Sequence, residues 1–165
     1  MFLLLIVVYA AMEFRVLFEK GMPEREFMKS LHVMFGLCVF VLVLLRLLAK
    51  RLSPRPEELE TQGLRLLLHR AAGAGHVVLY LFMAIMAIMP IAGWLMLSAA
   101  GKPIPFFGLT LPALIAPDEA LSKQIKAAHA LAGNIGYGLI GLHVAASLFH
   151  QMVLKDRLLE RMRWR

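Results

Sequence analysis

Three long apolar stretches, residues 31–48, 77–100 and 127–154, limit what this chain can become. A bilayer's hydrocarbon core is ~30 Å thick and needs roughly 20 helical residues at ~1.5 Å each, and all three stretches are of that order. Hydrophobic residues make up 60% of the 165 and mean hydropathy is +0.72, which removes the chain from the ordinary soluble class. A fourth stretch, residues 2–12, is apolar but is interrupted soon after by Glu13 and Arg15. The one cysteine, Cys38, leaves no disulfide framework and no Cys-based metal site.

A formal net charge of +7 raises the question of nucleic acid, and the placement of the charges answers it. Lys and Arg number four in residues 13–30, six in 46–70, three in 99–126 and five after Leu154. The second and fourth segments thus hold eleven against seven, so the positive-inside rule puts both termini and the 46–70 loop in the cytoplasm. These charges are topology determinants, and no nucleic-acid partner is expected. The basic tail "KDRLLERMRWR" could also touch anionic membrane lipid.

The expected fold class is all-α: a single domain over 1–165 built as a four-helix transmembrane bundle. Its helices fall at about 1–18, 29–50, 70–100 and 126–155, with outer loops 13–29 and 99–126, an inner loop 50–69 and a basic inner tail 155–165. Prolines and glycines break the 99–126 connector, and its Phe106–Phe107 pair is expected to settle on the membrane surface. Pro90 should kink or loosen the third helix. Gly133, Gly136, Gly138 and Gly141 bring something close to the fourth, either another helix or a flat cofactor. The first helix is short: residues 1–12 give ~18 Å of rise, and no positive n-region precedes them as a signal peptide would require. The expectation is that the natural chain begins upstream.

Two stretches superpose, "KSLHVMFG" at 29–36 and "KAAHALAG" at 126–133. Each has a lysine at the outer interface, a histidine three residues on and a glycine four residues later. The second and fourth helices run in the same direction, so His32 and His129 lie at nearly equal depth, where one ligand could bridge them. The glycine, one turn deeper on the same face, leaves a slot beside the imidazole. His143 follows His129 by fourteen residues, which returns it to within ~40° of the same face, ~21 Å along the axis. A bundle holding two stacked b-type haems, each iron between two imidazoles, would use such a stripe. An iron with both axial positions filled favours electron transfer over oxygen binding.

Histidines inside a membrane are costly and usually functional, although a hydrogen-bonded packing role is the alternative for each. His69, beside Arg70, reads as interfacial. His76 is a ligand or another polar group, and His150, near the cytoplasmic end, could hydrogen-bond a quinone carbonyl. There is no HExxH and no CxxC. The three full spans contain no Asp or Glu, which argues against di-iron and Ser–His–acid chemistry.

Across essentially its whole length the chain resembles the bacterial cytochrome b561 family, small four-helix di-haem proteins of the inner membrane. The matching motifs are "YAAMEFR", "HVMFG" with Arg46 beyond it, "HVVLY", "FFGLTLP" and "AHALAGNIGYGLIGLH". The resemblance implies two haems b held between helices and electron transfer involving ubiquinone, with superoxide a donor for some relatives. It assigns His32 and His129 to the outer haem and His143 to one side of the inner haem. The family's other inner ligand, a histidine early in the first helix, would fall just before Met1, which agrees with a natural start upstream; without such upstream residues the inner haem would be five-coordinate, would recruit His76, or would be absent. Arg15, Arg46, Lys29 and Lys126 are candidate propionate or interface partners, the lysines equally as snorkelling anchors. The expected function is an electron-transfer oxidoreductase linking an outer-face donor, superoxide or another periplasmic one, to ubiquinone. The alternative is the haem-bearing membrane anchor of a periplasmic dehydrogenase or hydrogenase, and a third is a non-haem packing or transport protein.

Overall fold

The computed structural model of the protein describes residues 1–52, 64–149 and 151–152, with 64–79 described by backbone alone. Among the described residues there are four α-helices: α1 Phe2–Phe14, α2 Pro23–Leu52, α3 Leu64–Ala99 and α4 Glu119–Phe149. A 3-10 turn, Arg15–Leu17, follows α1, and a two-stranded hairpin, β1 Ile104–Phe106 and β2 Leu109–Leu111, separates α3 from α4. The chain divides into two compact units, Met1–His129 and Ala130–Arg165.

Within the first unit α2 packs between α1 and α3. Val39 and Val43 of α2 and Met86 of α3 form its buried centre, with Leu4, Leu5, Val8, Phe82 and Ile85 closing around them. Little else is covered. In the most apolar windows of α2, α3 and α4, only 17%, 11% and 6% of residues are buried within the protein. Such helices would expose large apolar faces to water, at ~25 cal/mol per Å²; a lipid environment removes that cost. These three helices are long and apolar enough to span a membrane, while α1, with 13 residues, rises only about 20 Å.

Local chemistry explains where the helices start and stop, and it moves several expected boundaries. α2 begins at Pro23, six residues before the expected 29, because proline suits the first helical position and Glu24 and Glu26 favour the positive N-terminal end. α4 likewise begins at Glu119 rather than 126. The Asp118 carboxylate accepts from the Leu121 N–H at 2.9 Å, a side-chain cap. α3 continues through Pro90 as a helix. It stops at Gly101, whose φ of 63° permits the paired bonds Gly101 N to Ser98 O (2.9 Å) and Lys102 N to Leu97 O (3.0 Å).

Among the described residues the hairpin is the one departure from an all-helical reading. Phe106 pairs with Leu109, leaving Phe107 and Gly108 as a two-residue turn with φ values of 46° and 85°. Positive φ at both central positions is the tight hairpin turn that matches strand twist. A phenylalanine there carries a steric cost. Its ring meets Phe35 of α2 edge-on, centroids 6.1 Å apart, and its N–H points at the Met34 sulfur at 3.3 Å. The β1 strand lies on α2 and α3, with Ile104 buried.

Buried hydroxyls tie this end together. Ser98 Oγ donates to Trp94 O at 2.9 Å and accepts from Leu114 N at 3.1 Å. Ser122 Oγ donates to Met96 O at 3.1 Å, and Asp118 N to Ala99 O at 2.8 Å. The start of α4 is thereby pinned against the end of α3.

Candidate functional site

The histidines of the two superposable stretches come together. His32, on α2, and His129, on α4, have ring centroids 6.1 Å apart and planes inclined at 71°. Depth alone does not make a pair; the pinned start of α4 delivers His129 to His32. Both rings are half-buried.

His32 Nδ1 lies 2.9 Å from the carbonyl oxygen of Val8 on α1. A carbonyl only accepts, so Nδ1 carries the proton and Nε2 keeps its lone pair for a metal. This is the usual arrangement of a metal-binding histidine, whose second nitrogen donates to a carbonyl and fixes ring and tautomer. His129 Nδ1 is buried and has no hydrogen-bond partner among the described residues, a costly state for a polar atom unless something else answers it.

The spacing has a chemical meaning. A metal–imidazole nitrogen bond is about 2 Å and the ring centroid lies about 1 Å beyond, so rings on opposite sides of one ion have centroids about 6 Å apart. Among the described residues no group of three or more His, Cys, Asp or Glu could hold a metal ion. A two-nitrogen donor set suits a metal whose other ligands come from a macrocycle. Room for a flat group also exists on the α2 face one turn from His32. A Cβ on Gly36 would meet nothing within 4 Å.

The cationic candidates separate. Arg15 lies close enough to His32 for its charge to act on the ring, while its Nε donates to Met12 O at 3.2 Å. Lys29 is engaged in an ion pair with Glu26 at 2.5 Å. Lys126 is exposed on α4, three residues before His129. Arg46 is exposed on α2, fourteen residues past His32, or ~21 Å of helix rise. At that end Lys50 Nζ donates to the Tyr80 hydroxyl and lies over its ring.

In the second unit His143 is exposed on α4, and Cβ atoms on Gly138 and Gly141 would meet nothing within 4 Å. His69 and His76 fall on α3 where only the backbone is described, and His150 and the basic tail 155–165 lie outside the described residues.

Two contributors escape a reading of the sequence. Val8 holds His32 through its backbone, which no residue type announces. Arg25 donates to Arg15 O at 3.1 Å and Phe18 O at 2.7 Å, binding the α1–α2 turn so that Val8 meets His32. The carbonyls at the two ends of a short 3-10 turn are visible as acceptors only once the turn is known.

The family model for prokaryotic cytochrome b561 matches residues 1–165. Cytochrome b561 homolog 1 of Escherichia coli (strain K12) is 33% identical over 157 residues, covering 94% of this chain and 86% of that protein. A protein of Yersinia pestis described as the probable superoxide oxidase CybB is 32% identical over 163 residues, 97% of this chain and 87% of its own length. Cytochrome b561 homolog 2 of Escherichia coli (strain K12) is 32% identical over 134 residues, 81% of this chain and 69% of its own. Two imidazoles at metal-bridging distance, apolar helices with uncovered faces and a match over the full length lead to one conclusion: the chain belongs to the prokaryotic cytochrome b561 family, helical membrane proteins that bind haem b and transfer electrons.

Proposed function

We propose that His32 and His129 would together hold one haem b at the hairpin end of the molecule, and that this end faces outward from a bacterial inner membrane, both termini being cytoplasmic. The observation that carries the reading is the 6.1 Å separation of the two rings, supported by the Val8 bond that frees His32 Nε2. When bound, haem b would supply a reversible one-electron couple.

The chain's residues set the terms of that couple. Val8 orients His32 and raises its donor strength. Arg15 places a positive charge near His32, where it would pair with a propionate or favour the reduced state. His143, fourteen residues after His129 on α4, would hold one side of a second haem, and Arg46, exposed on α2, is a separate candidate propionate or interface partner. Lys126 and Arg15 offer positive charge to an anionic donor at the outer face, whereas Lys29 is already paired with Glu26.

The activity follows as electron transfer from an outer-face donor to ubiquinone. Superoxide is the donor favoured here, because the relative named as a probable superoxide oxidase matches 97% of the chain. Two superoxide anions each lose one electron to become O₂, and one ubiquinone takes both electrons with two protons. Purified protein in detergent, given a superoxide source and a ubiquinone analogue, should form quinol at a rate that falls as salt screens the outer charges. No quinol above the protein-free control would refute the donor assignment, and failure of ubiquinol to reduce the haem would refute the acceptor.

A further inference from the structure

The two imidazoles are held by different means. A hydrogen bond to Val8 fixes His32; His129 Nδ1 has no such bond. What borders the His129 ring is the backbone of α3 at Gly93. A Cβ built there would lie 3.4 Å from His129 Cε1 and 3.9 Å from Nδ1. A single methyl at that place would just touch the ring. A branched side chain would claim the volume the ring occupies. Gly93 stands inside a helix, where glycine is less favourable than alanine, and its neighbours Ala92 and Trp94 are ordinary helix residues.

We propose that Gly93 is a positioning residue: it lets the α3 backbone form one wall of the His129 slot, and this steric contact sets the 71° between the two ring planes. The proposal rests on the reading of His32 and His129 as ligands of one haem. It makes the ligands unequal. His32 is locked in one tautomer and strengthened by a carbonyl, while His129 is aimed by packing and gains no such reinforcement.

The test uses the purified full chain with haem bound and reads low-temperature electron paramagnetic resonance of the ferric form together with the midpoint potential. Steeply inclined imidazole planes give a strongly anisotropic low-spin signal dominated by one low-field feature. Gly93→Ala should keep haem and leave that feature in place. Gly93→Val should move it or remove it by turning His129. Gly93→Ser puts a hydroxyl one bond beyond the Cβ position, within reach of Nδ1, and should lower the midpoint potential by supplying the missing acceptor. A valine variant that keeps both the wild-type signal and the wild-type potential overturns the proposal. Should the valine variant not fold, the serine variant decides: a lowered potential supports the proposal and an unchanged one overturns it. The underlying ligand assignment fails separately, if His129→Ala retains the wild-type signal. If His129→Ala abolishes the signal and every Gly93 variant preserves it, only the role of Gly93 is lost.

Discussion

Replacing Arg25 with alanine tests whether the site depends on the turn that joins the first two helices. One guanidinium nitrogen donates to two carbonyls, Phe18 O at 2.7 Å and Arg15 O at 3.1 Å. Arg15 opens the 3-10 turn and its carbonyl also accepts from the Phe18 N–H at 3.4 Å, while Phe18 leaves the turn in extended backbone, so the guanidinium ties the two ends of the turn together. A hydrogen bond from a charged group is worth about 1.5–3 kcal/mol net. Arg25 is only half-buried, so solvent recovers part of that, and the pair together is worth about 2–3 kcal/mol. At about 2–4 °C per kcal/mol for a chain of this size, Arg25→Ala should lower the melting temperature by about 5–10 °C. Haem absorbance at the His32 site should be lost with that melt, because Val8 and His32 are held in register by the same turn. Arg25→Lys should recover only part of that loss, since one ammonium can donate to both carbonyls but sits on a shorter, more flexible stem than the guanidinium. The assay is thermal unfolding in detergent, followed by helical circular dichroism and by the haem band in parallel. An alanine variant that melts with wild type, or a lysine variant indistinguishable from it, would refute the role given to Arg25.

Three further outcomes follow from the same geometry. Ser98→Ala leaves the Leu114 N–H without its partner and should cost about 1–3 kcal/mol, read as a lower melting temperature with haem content unchanged at low temperature. Phe107→Asn loses aromatic edges against Phe35 and Phe106, about 0.5–1.5 kcal/mol each. It also gains a residue that tolerates positive φ, worth about 1–2 kcal/mol. It should therefore melt within about 1 kcal/mol of wild type, with Phe107→Ala less stable than either. If His143 holds a second haem as proposed, His143→Ala should remove only that haem's spectral component and leave the low-spin signal assigned to His32 and His129 intact.

The parts of the site legible in the sequence were those written in residue type and spacing. The matched lysine–histidine–glycine stretches placed His32 and His129 at one depth, and the structure brings their rings together. Gly36 was legible as open space for the same reason. Gly93 was not, because it lies on a third helix and belongs to no repeat; only the packing of α3 against the start of α4 gives it a meaning. Hydropathy followed inward from the lysines puts the starts of α2 and α4 too deep. The proline at the first turn of α2 and the aspartate cap of α4 mark the true beginnings, Pro23 and Glu119. From sequence the hairpin looks like a loop. Strands of three residues are too short to display alternation, and a Phe-Gly turn lacks the usual Asn-Gly signal. Val8 could not have been found at all, since what it contributes is a carbonyl.

The central claim is that His32 and His129 hold the same iron. Haem per chain, measured by pyridine haemochrome in wild type, His32→Ala, His129→Ala and the double variant, addresses it directly. Each single substitution should remove one and the same haem equivalent, and the double should remove no more than either single. A double variant that loses more than the singles would place the two histidines on different haems, and full haem content in both singles would end the assignment.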